Sequence, residues 1–234
     1  MIKAIIFDLD GTLMDDEKTE KLAMTRWIKK YIAIFNLSTD QIIDLWHKKS
    51  KIYWEKYWSK ELTLKEQKLL RVQVFFKEMG QNVSKKVAYE RYKDLGELYP
   101  LSYTLYNDVI DCLEKLKKYK LGLVTNGTSQ IQREKIKNLK IKNFFSSIVI
   151  SEEVGVSKPD SKIFDTCLKE LGVSSDEAIF IGDRLEKDIR GCESTGIRGV
   201  LINRDGSMDK CKLGEVEVVD SLYSFLRFLK KKDK

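Results

Sequence analysis

Two carboxylates one residue apart, Asp8 and Asp10, follow a short apolar run near the start of the chain. The run Ala4–Phe7 predicts a strand buried on both faces, and open α/β sheets bind ligands at the carboxyl ends of their strands. Like charges this close resist joint ionisation, and a divalent cation relieves the repulsion. Carboxylate oxygens with room for water suit Mg²⁺. The pair therefore predicts a Mg²⁺ site, with an acidic surface turn at Asp10-Gly11 as the alternative.

Further polar side chains follow the later apolar runs of the chain. Strands are predicted at Lys120–Val124, Ser147–Ile150 and Ala178–Ile181, with helical segments between them and a further helix near Asp188–Gly196. This alternation predicts a parallel sheet with crossover helices, so the carboxyl ends of the strands should lie at one edge. The polar residues that follow any one of these strands form a common loop pattern. The prediction therefore depends on the order in which the patterns occur along the chain. The residues expected beside the two carboxylates are Thr125, Asn126, Gly127, Lys158, Asp183 and Asp188.

These groups together suit phosphoryl transfer. Asp8 can attack phosphorus and form an aspartyl-phosphate, while Asp10 can protonate the leaving oxygen and then activate water. A Mg²⁺ ion between Asp8 and Asp183 would let a carboxylate and a phosphate approach each other. Lys158 would orient both Asp8 and a phosphate oxygen. The Thr125 hydroxyl and neighbouring backbone N–H groups would bind the remaining oxygens.

The segment of residues 15–97 is rich in lysine, glutamate and aromatic residues and has no strand pattern. Capping boxes that begin at Ser38 and Thr63 predict helix starts inside it. We therefore predict an α/β core formed by residues 1–14 and 98–234, with an all-helical domain inserted after the first strand. Most members of a group of five aromatic residues are expected to pack in the core of this domain rather than line a pocket. They are Trp46, Tyr53, Trp54, Tyr57 and Trp58.

The composition excludes several classes of protein. The chain of 234 residues has one histidine, His47, so catalysis by Ser-His-Asp or Cys-His arrangements and His-rich metal sites are not expected. No apolar run approaches the length of a membrane span, and the N-terminus lacks a signal-peptide pattern. We therefore expect a cytoplasmic protein with no membrane partner. Scattered cysteines without a C-x-x-C pair argue against a zinc site and a disulfide framework: Cys112, Cys167, Cys192 and Cys211.

The net charge of +7 has two possible explanations. One is nucleic-acid binding through a basic face, and the other is an anionic substrate. Most lysines alternate with acidic residues, and the only dense basic run is Lys230–Lys234, which predicts a solvated, disordered tail. A small anionic substrate is therefore expected, and nucleic acid is not the expected partner.

Four motifs in this order resemble the haloacid dehalogenase (HAD) superfamily of aspartate-nucleophile hydrolases. The first is Asp8-Leu9-Asp10-Gly11-Thr12-Leu13, the second Thr125-Asn126, the third Lys158-Pro159-Asp160, and the fourth Gly182-Asp183 with Asp188. The resemblance implies a Rossmann-like core, with residues 15–97 as a helical cap that closes over the site.

The resemblance also implies specific roles. Asp8 would be the nucleophile and Asp10 the general acid/base, while Lys158 and the Thr125–Gly127 loop would contact the phosphate. Mg²⁺ would be held by the Asp8 carboxylate, the Asp10 backbone carbonyl and Asp183, with Asp188 supporting them. The segments Ser151–Asp160 and Ile181–Asp188 are similar to those of the pyrimidine nucleotidase and N-acylneuraminate-9-phosphatase branch.

Several activities remain open within the superfamily. Its dehalogenases lack an acid two residues after the nucleophile, so Asp10 favours phosphate-ester hydrolysis. The expected substrate is a small phosphorylated metabolite, either a nucleoside monophosphate or a sugar phosphate, and the expected state is a monomer or a homodimer. The alternatives are a phosphomutase and a non-catalytic binding protein with a basic surface.

Overall fold

The computed structural model describes residues 1–30, 37–206 and 216–232. The chain divides into two compact units, one formed by Met1–Asp16 with Tyr103–Lys234 and the other by Glu17–Ser102. The first unit is α/β and the second is helical. The predicted boundaries after residues 14 and 97 lie close to these junctions. The catalytic and cap roles of the two segments stay predictions.

The α/β unit is built on one parallel six-stranded sheet with the order β3-β2-β1-β4-β5-β6. The strands are β1 Ala4–Phe7, β2 Lys120–Thr125, β3 Ser147–Ile150, β4 Ala178–Gly182, β5 Arg198–Ile202 and β6 Glu217–Val219. All pairs are parallel, and Phe7 lies in register with Leu123 on one side and Ile181 on the other. The predicted α/β, Rossmann-like fold is confirmed, and the carboxyl ends of β1, β2 and β4 are neighbours.

Helices cover both faces of this sheet. Alternate residues of a strand point to opposite faces, so Ile5 and Phe7 join one apolar cluster while Ala4 and Ile6 join another. All four residues of β1 are fully buried, as the apolar run predicts. A buried side chain of this size stabilises a fold by about 1.5–3 kcal/mol, and β1 is therefore a rigid support for Asp8. The helices of this unit are α5 Val109–Lys115, α6 Ser129–Asn138, α7 Ser151–Val154, α8 Ser161–Leu171, α9 Gly191–Glu193 and α10 Leu222–Lys232.

The described residues of the helical unit form four helices around an aromatic core. They are α1 Asp16–Lys29, α2 Thr39–Trp58, α3 Leu64–Glu78 and α4 Lys85–Leu98. Both predicted capping boxes are present, at Ser38 and Thr63. Trp46 is buried as expected, against Trp27 at 5.6 Å between ring centroids. The prediction that most of these aromatic side chains pack in the core is wrong for Tyr53, Trp54 and Tyr57, which are half-buried. The side chain of Trp58 is not among those that the structure describes.

Two local predictions differ from the structure. The basic run was expected to form a disordered tail, but α10 extends through Lys232. Phe225, Phe228 and Leu229 of that helix pack into the core of the α/β unit, and their burial holds the part of the run up to Lys232 in helical form. A regular helix was expected near Asp188–Gly196, but a π-helical turn, Leu185–Arg190, precedes the short α9.

Three cysteines, Cys112, Cys167 and Cys192, are buried as free thiols, and Cys211 lies outside the described residues. Within the described ranges, each helix is too short or too polar to span a bilayer.

Candidate active site

The first candidate residue, Asp8, directly follows β1 and is buried with 5% of its surface exposed. Its backbone N–H donates to the Ile181 carbonyl of β4 at 2.9 Å, so the strand pairing continues to this residue. Lys158 Nζ lies 2.5 Å from Asp8 Oδ1 and 2.7 Å from Asp188 Oδ1. Asp188 is also buried. Three of the predicted residues therefore lie together, with the Asp8 and Asp188 carboxylates beside the buried Lys158 ammonium group.

Opposing electrostatic effects act on this cluster. Burial alone lowers the pKa of Lys158, but the Asp8 and Asp188 carboxylates outweigh it and hold that pKa above its usual value. Burial raises the pKa of Asp8, and Asp188 and Asp183 add to the increase against the opposing charge of Lys158. The three carboxylates face two cations, the Lys158 ammonium group and Arg184, whose Nε lies 3.2 Å from Asp183 Oδ2. The carboxylates still outnumber the cations, and this excess of negative charge favours a bound cation.

The cluster has the donor set of a hard-cation site. One oxygen from each of Asp8, Asp183 and Asp188 lies within 4.8 Å of the others. Among the described residues, Asp183 Oδ1 is buried with no hydrogen-bond partner. Burial and the Asp188 charge raise the pKa of Asp183 to about 6. An all-oxygen set with an orphaned carboxylate oxygen fits Mg²⁺. The Asp10 side chain lies outside this group of oxygens.

Two glycines make room for these carboxylates. A Cβ on Gly11 would lie 2.5 Å from Asp183 Oδ2, and a Cβ on Gly182 would lie 2.5 Å from Asp188 Oδ2. Gly11 also has a φ of +78°, a conformation that favours glycine. The glycine in the first motif therefore does more than form a turn, because it lets a carboxylate from the loop after β4 approach the β1 loop.

Asp10 is held by two residues of α6 that sequence reasoning missed. Gln132 Nε2 donates to Asp10 Oδ2 at 2.9 Å, and Lys135 Nζ lies 2.6 Å from Asp10 Oδ1. Gln132 is buried and also donates to Thr125 Oγ1 at 2.6 Å. The i, i+3 spacing places Gln132 and Lys135 on the same face of α6. Many polar residues of this chain share that spacing, so the pattern alone does not single them out.

The Thr125–Gly127 loop forms hydrogen bonds with Lys158 and Ser151. The Asn126 side chain accepts from the Lys158 backbone N–H at 2.8 Å and donates to the Lys158 carbonyl at 3.0 Å. The Gly127 N–H donates to Ser151 Oγ at 2.9 Å. Asn126 thus fixes the backbone that carries Lys158, and its predicted contact with phosphate stays a prediction. Thr125 is buried at the end of β2.

Arg204 is a third residue that was not predicted from the sequence, and it forms hydrogen bonds with the loop after Asp10. Its guanidinium donates to the Thr12 carbonyl at 2.6 Å and pairs with Asp108 at 3.1 Å. The same group lies 3.7 Å from the centroid of the Tyr106 ring. Because Thr12 is two residues from Asp10, this arginine fixes the path by which the chain leaves the candidate site.

The chain matches known proteins over most of its length. A sequence profile of haloacid dehalogenase-like hydrolases matches residues 5–202. A glyceraldehyde 3-phosphate phosphatase of Methanopyrus kandleri is 34% identical over 94% of this chain and 92% of its own length. Human N-acylneuraminate-9-phosphatase is 29% identical over 88% of this chain and 84% of its own length.

The fold also matches solved structures. A magnesium-bound HAD hydrolase of Bacillus subtilis has a TM-score of 0.77 and 22% identity, covering 97% of this chain and 98% of that one. These matches confirm the resemblance stated from the four motifs. The chain belongs to the haloacid dehalogenase-like hydrolase family.

Proposed function

We propose that this protein is a Mg²⁺-dependent phosphatase that hydrolyses a small phosphorylated metabolite through an aspartyl-phosphate. The observation that carries the proposal is the buried Asp8 carboxylate, paired with Lys158 and set beside Asp183 and Asp188. The phosphatase names of the relatives support hydrolysis of a phosphoric monoester. Asp10, two residues after the nucleophile, supplies the acid that an alkoxide leaving group needs.

The proposed reaction has two displacements at phosphorus. In the first, an Asp8 oxygen forms a bond to phosphorus while the ester P–O bond breaks, and the leaving oxygen takes a proton from Asp10. In the second, Asp10 takes a proton from water, whose oxygen attacks phosphorus and breaks the bond to Asp8. Inorganic phosphate leaves, and both aspartates return to their starting state.

The surrounding groups make these steps possible. Lys158 offers its ammonium group both to Asp8 and to an incoming phosphate oxygen, which reduces the repulsion between two anions. Asp8, the Asp10 backbone carbonyl and Asp183 would hold Mg²⁺, with Asp188 beside them, and the ion would neutralise charge on the phosphoryl group. The Thr125–Gly127 loop is proposed to bind the remaining oxygens.

The substrate is proposed to be a sugar phosphate or a nucleoside monophosphate. Relatives that are named for glyceraldehyde 3-phosphate and N-acylneuraminate 9-phosphate support a small phosphorylated compound. The helical unit is proposed to act as the cap that selects among such compounds. The excess of positive charge on the chain is consistent with an anionic substrate.

The test is phosphate release from p-nitrophenyl phosphate and from a panel of sugar phosphates and nucleotides, with and without Mg²⁺. In water enriched in ¹⁸O, a hydrolase places solvent oxygen in the released phosphate. Mg²⁺-dependent release with that label supports the proposal. Isomerised substrate without labelled phosphate would instead indicate a phosphomutase, and binding to DNA or RNA without phosphate release would indicate a non-catalytic protein.

Replacing Asp183 is expected to uncouple Mg²⁺ from stability. In the metal-free protein, Asp183→Asn removes one charge from a cluster with excess negative charge and also removes the contact between Arg184 Nε and Asp183 Oδ2 at 3.2 Å. Because an ion pair with an exposed arginine contributes little to stability, we expect the net effect to be a rise in stability of roughly 1–2 kcal/mol. The same change removes a metal ligand, so added Mg²⁺ should no longer raise Tm as it does in the wild type. Thermal unfolding with EDTA or with Mg²⁺ measures both effects. The exposed Asp165 of α8, replaced by Asn, is the control. An undiminished Mg²⁺ shift in Asp183→Asn contradicts the proposed ligand.

Removing Lys135 is expected to slow turnover without unfolding the protein. Lys135→Met eliminates the cation 2.6 Å from Asp10 and leaves that carboxylate held by Gln132 alone among the side chains described around it. We expect kcat/KM for alkyl phosphates to fall about 10-fold, because a misplaced acid protonates the leaving oxygen poorly. Lys137→Met, an exposed cation of the same helix, should leave kcat/KM unchanged. Equal rates for Lys135→Met and wild type would show that this ion pair does not position Asp10.

A further inference from the structure

Gln132 of α6 is a buried amide that lies between two side chains of the candidate site. It is 1% exposed, and its Nε2 lies 2.9 Å from Asp10 Oδ2 and 2.6 Å from Thr125 Oγ1. The amide therefore bridges the loop after β1 and the end of β2, two segments that are far apart along the chain. A buried polar network whose members are hydrogen-bonded is rigid, so Gln132 fixes the orientation of both partners.

The orientation of the Gln132 amide follows from the charge of its first partner. The Asp10 carboxylate also pairs with the Lys135 ammonium group at 2.6 Å, a contact that an ionised carboxylate makes. An ionised carboxylate only accepts hydrogen bonds, and an amide oxygen has no hydrogen to donate. The amide nitrogen must therefore be the atom that faces Asp10, and the same nitrogen faces Thr125.

This orientation determines how the Thr125 hydroxyl group can be used. An amide nitrogen has two hydrogens and accepts no hydrogen bond, so one hydrogen goes to Asp10 and the other to Thr125 Oγ1. Thr125 is thus the acceptor in this contact, and its own hydroxyl hydrogen has no acceptor among the described residues. Because Thr125 is 1% exposed, that unused hydrogen costs free energy until a ligand accepts it.

Gly127 makes room for the Gln132 side chain in this position. A Cβ on Gly127 would lie 2.9 Å from both Cγ and Cδ of Gln132. The φ of Gly127 is +150°, which is also a conformation that residues with a side chain rarely adopt. The glycine that follows Thr125 and Asn126 therefore does more than offer a backbone N–H, because its missing side chain lets Gln132 reach Thr125 and Asp10.

We propose that Gln132 is a positioning residue that commits the Thr125 hydroxyl group to donate to the substrate phosphate. The inference rests on the proposed function, because it takes the phosphate to bind at the Thr125–Gly127 loop. Without the amide, the Thr125 hydroxyl group can turn toward the Asp10 carboxylate, which then competes with the phosphate for one hydrogen. Gln132 supplies Asp10 with a hydrogen of its own and removes that competition. A donor that is already oriented stabilises a bound anion more than one that must turn first.

Binding of inorganic phosphate in the presence of Mg²⁺ tests the proposal, because turnover would also report the contact between Gln132 and Asp10. Gln132→Met keeps the length of the side chain and removes its donor. We expect this variant to bind phosphate about 10-fold more weakly in calorimetric titrations. Thr125→Val removes the hydroxyl group and should weaken binding at least as much. Gln130→Met, which changes an exposed glutamine of the same helix, is the matched control and should bind phosphate as the wild type does.

The double variant separates positioning from packing. If Gln132 acts through the Thr125 hydroxyl group, Gln132→Met should weaken phosphate binding no further once Thr125→Val is present. An equal loss with and without the hydroxyl group, or wild-type affinity in Gln132→Met, overturns the proposal. Unfolding curves show whether each variant is folded, and Gln132→Leu takes the place of Gln132→Met if the latter does not fold. A wild type that neither binds nor releases phosphate would instead overturn the proposed function.

Discussion

The Asp8→Asn variant is expected to lose phosphatase activity while it keeps its fold. A neutral amide oxygen is a poor nucleophile, and Asp8 is the carboxylate that lies at the end of β1 beside Lys158. Loss of a nucleophile that acts in concert with its neighbours lowers kcat by about 10⁴-fold or more. The fold should persist, because Asn has the same shape and can still accept a hydrogen bond from Lys158.

The measurement is p-nitrophenolate release at saturating Mg²⁺, with unfolding curves for each variant. Asp165→Asn, which changes an exposed acid of α8, should behave as the wild type does. Wild-type protein quenched in acid during turnover should carry a phosphoryl group on the peptide that contains Asp8, and Asp8→Asn should not. Activity in a well-folded Asp8→Asn variant would refute the aspartyl-phosphate mechanism.

The sequence predicted the parts of the site that local patterns determine. The run before Asp8 is short and apolar and is followed by a polar loop with a glycine. This pattern is typical of a buried central strand. The alternation of strands and helices then predicts a parallel sheet, which brings Lys158 and Asp183 to the same edge as Asp8. These predictions need no knowledge of how helices pack.

The missed residues depend on packing that a pattern does not contain. Lys135 is one of many lysines on a polar helix, and only the docking of α6 against the sheet selects it for Asp10. Arg204 lies far along the chain from Thr12 and is selected by the turn after β5. A contact between Asn126 and the phosphate was predicted, and the hydrogen bonds between the Asn126 side chain and the Lys158 backbone were not.

The fourth motif shows a different limit. A regular helix was expected around Asp188, whereas a π-helical turn begins at Leu185. That turn lets the Arg184 N–H donate to Asp188 Oδ2 at 2.9 Å and brings the other Asp188 oxygen to Lys158. Apolar periodicity distinguishes helix from strand but does not distinguish a π-helical turn from an α-helix.

In the helical unit, the N-cap residues of two helices were predictable from the sequence, whereas the burial of Arg71 in α3 was not. Ser38 and Thr63 act on the backbone within three residues, so their role is visible in the sequence. A charged residue in an amphipathic helix is expected at the surface, and the burial of Arg71 arises from the packing of α2 against α3.

The Asp10→Asn variant should distinguish the two proton transfers of the proposed reaction. An amide in place of the Asp10 carboxyl group cannot protonate a leaving alkoxide, so kcat/KM for alkyl phosphates should fall by about 10²- to 10⁴-fold. p-Nitrophenolate leaves without a proton, and formation of the aspartyl-phosphate from p-nitrophenyl phosphate should stay fast. The second step still needs a base for water, so the phosphoenzyme should accumulate. The expected trace is a burst of p-nitrophenolate equal to the enzyme concentration, followed by slow turnover.

Rapid mixing of enzyme with p-nitrophenyl phosphate measures the burst, and steady-state assays with an alkyl phosphate measure the loss. Lys135→Met should show a smaller effect of the same kind, because it displaces Asp10 without removing its carboxyl group. If Asp10→Asn lowers the burst rate as much as the alkyl phosphate rate, Asp10 acts through the shape or charge of the site and not as an acid. A burst that survives in Asp10→Asn and disappears in Asp8→Asn would assign the bond to phosphorus to one carboxylate and the protons to the other.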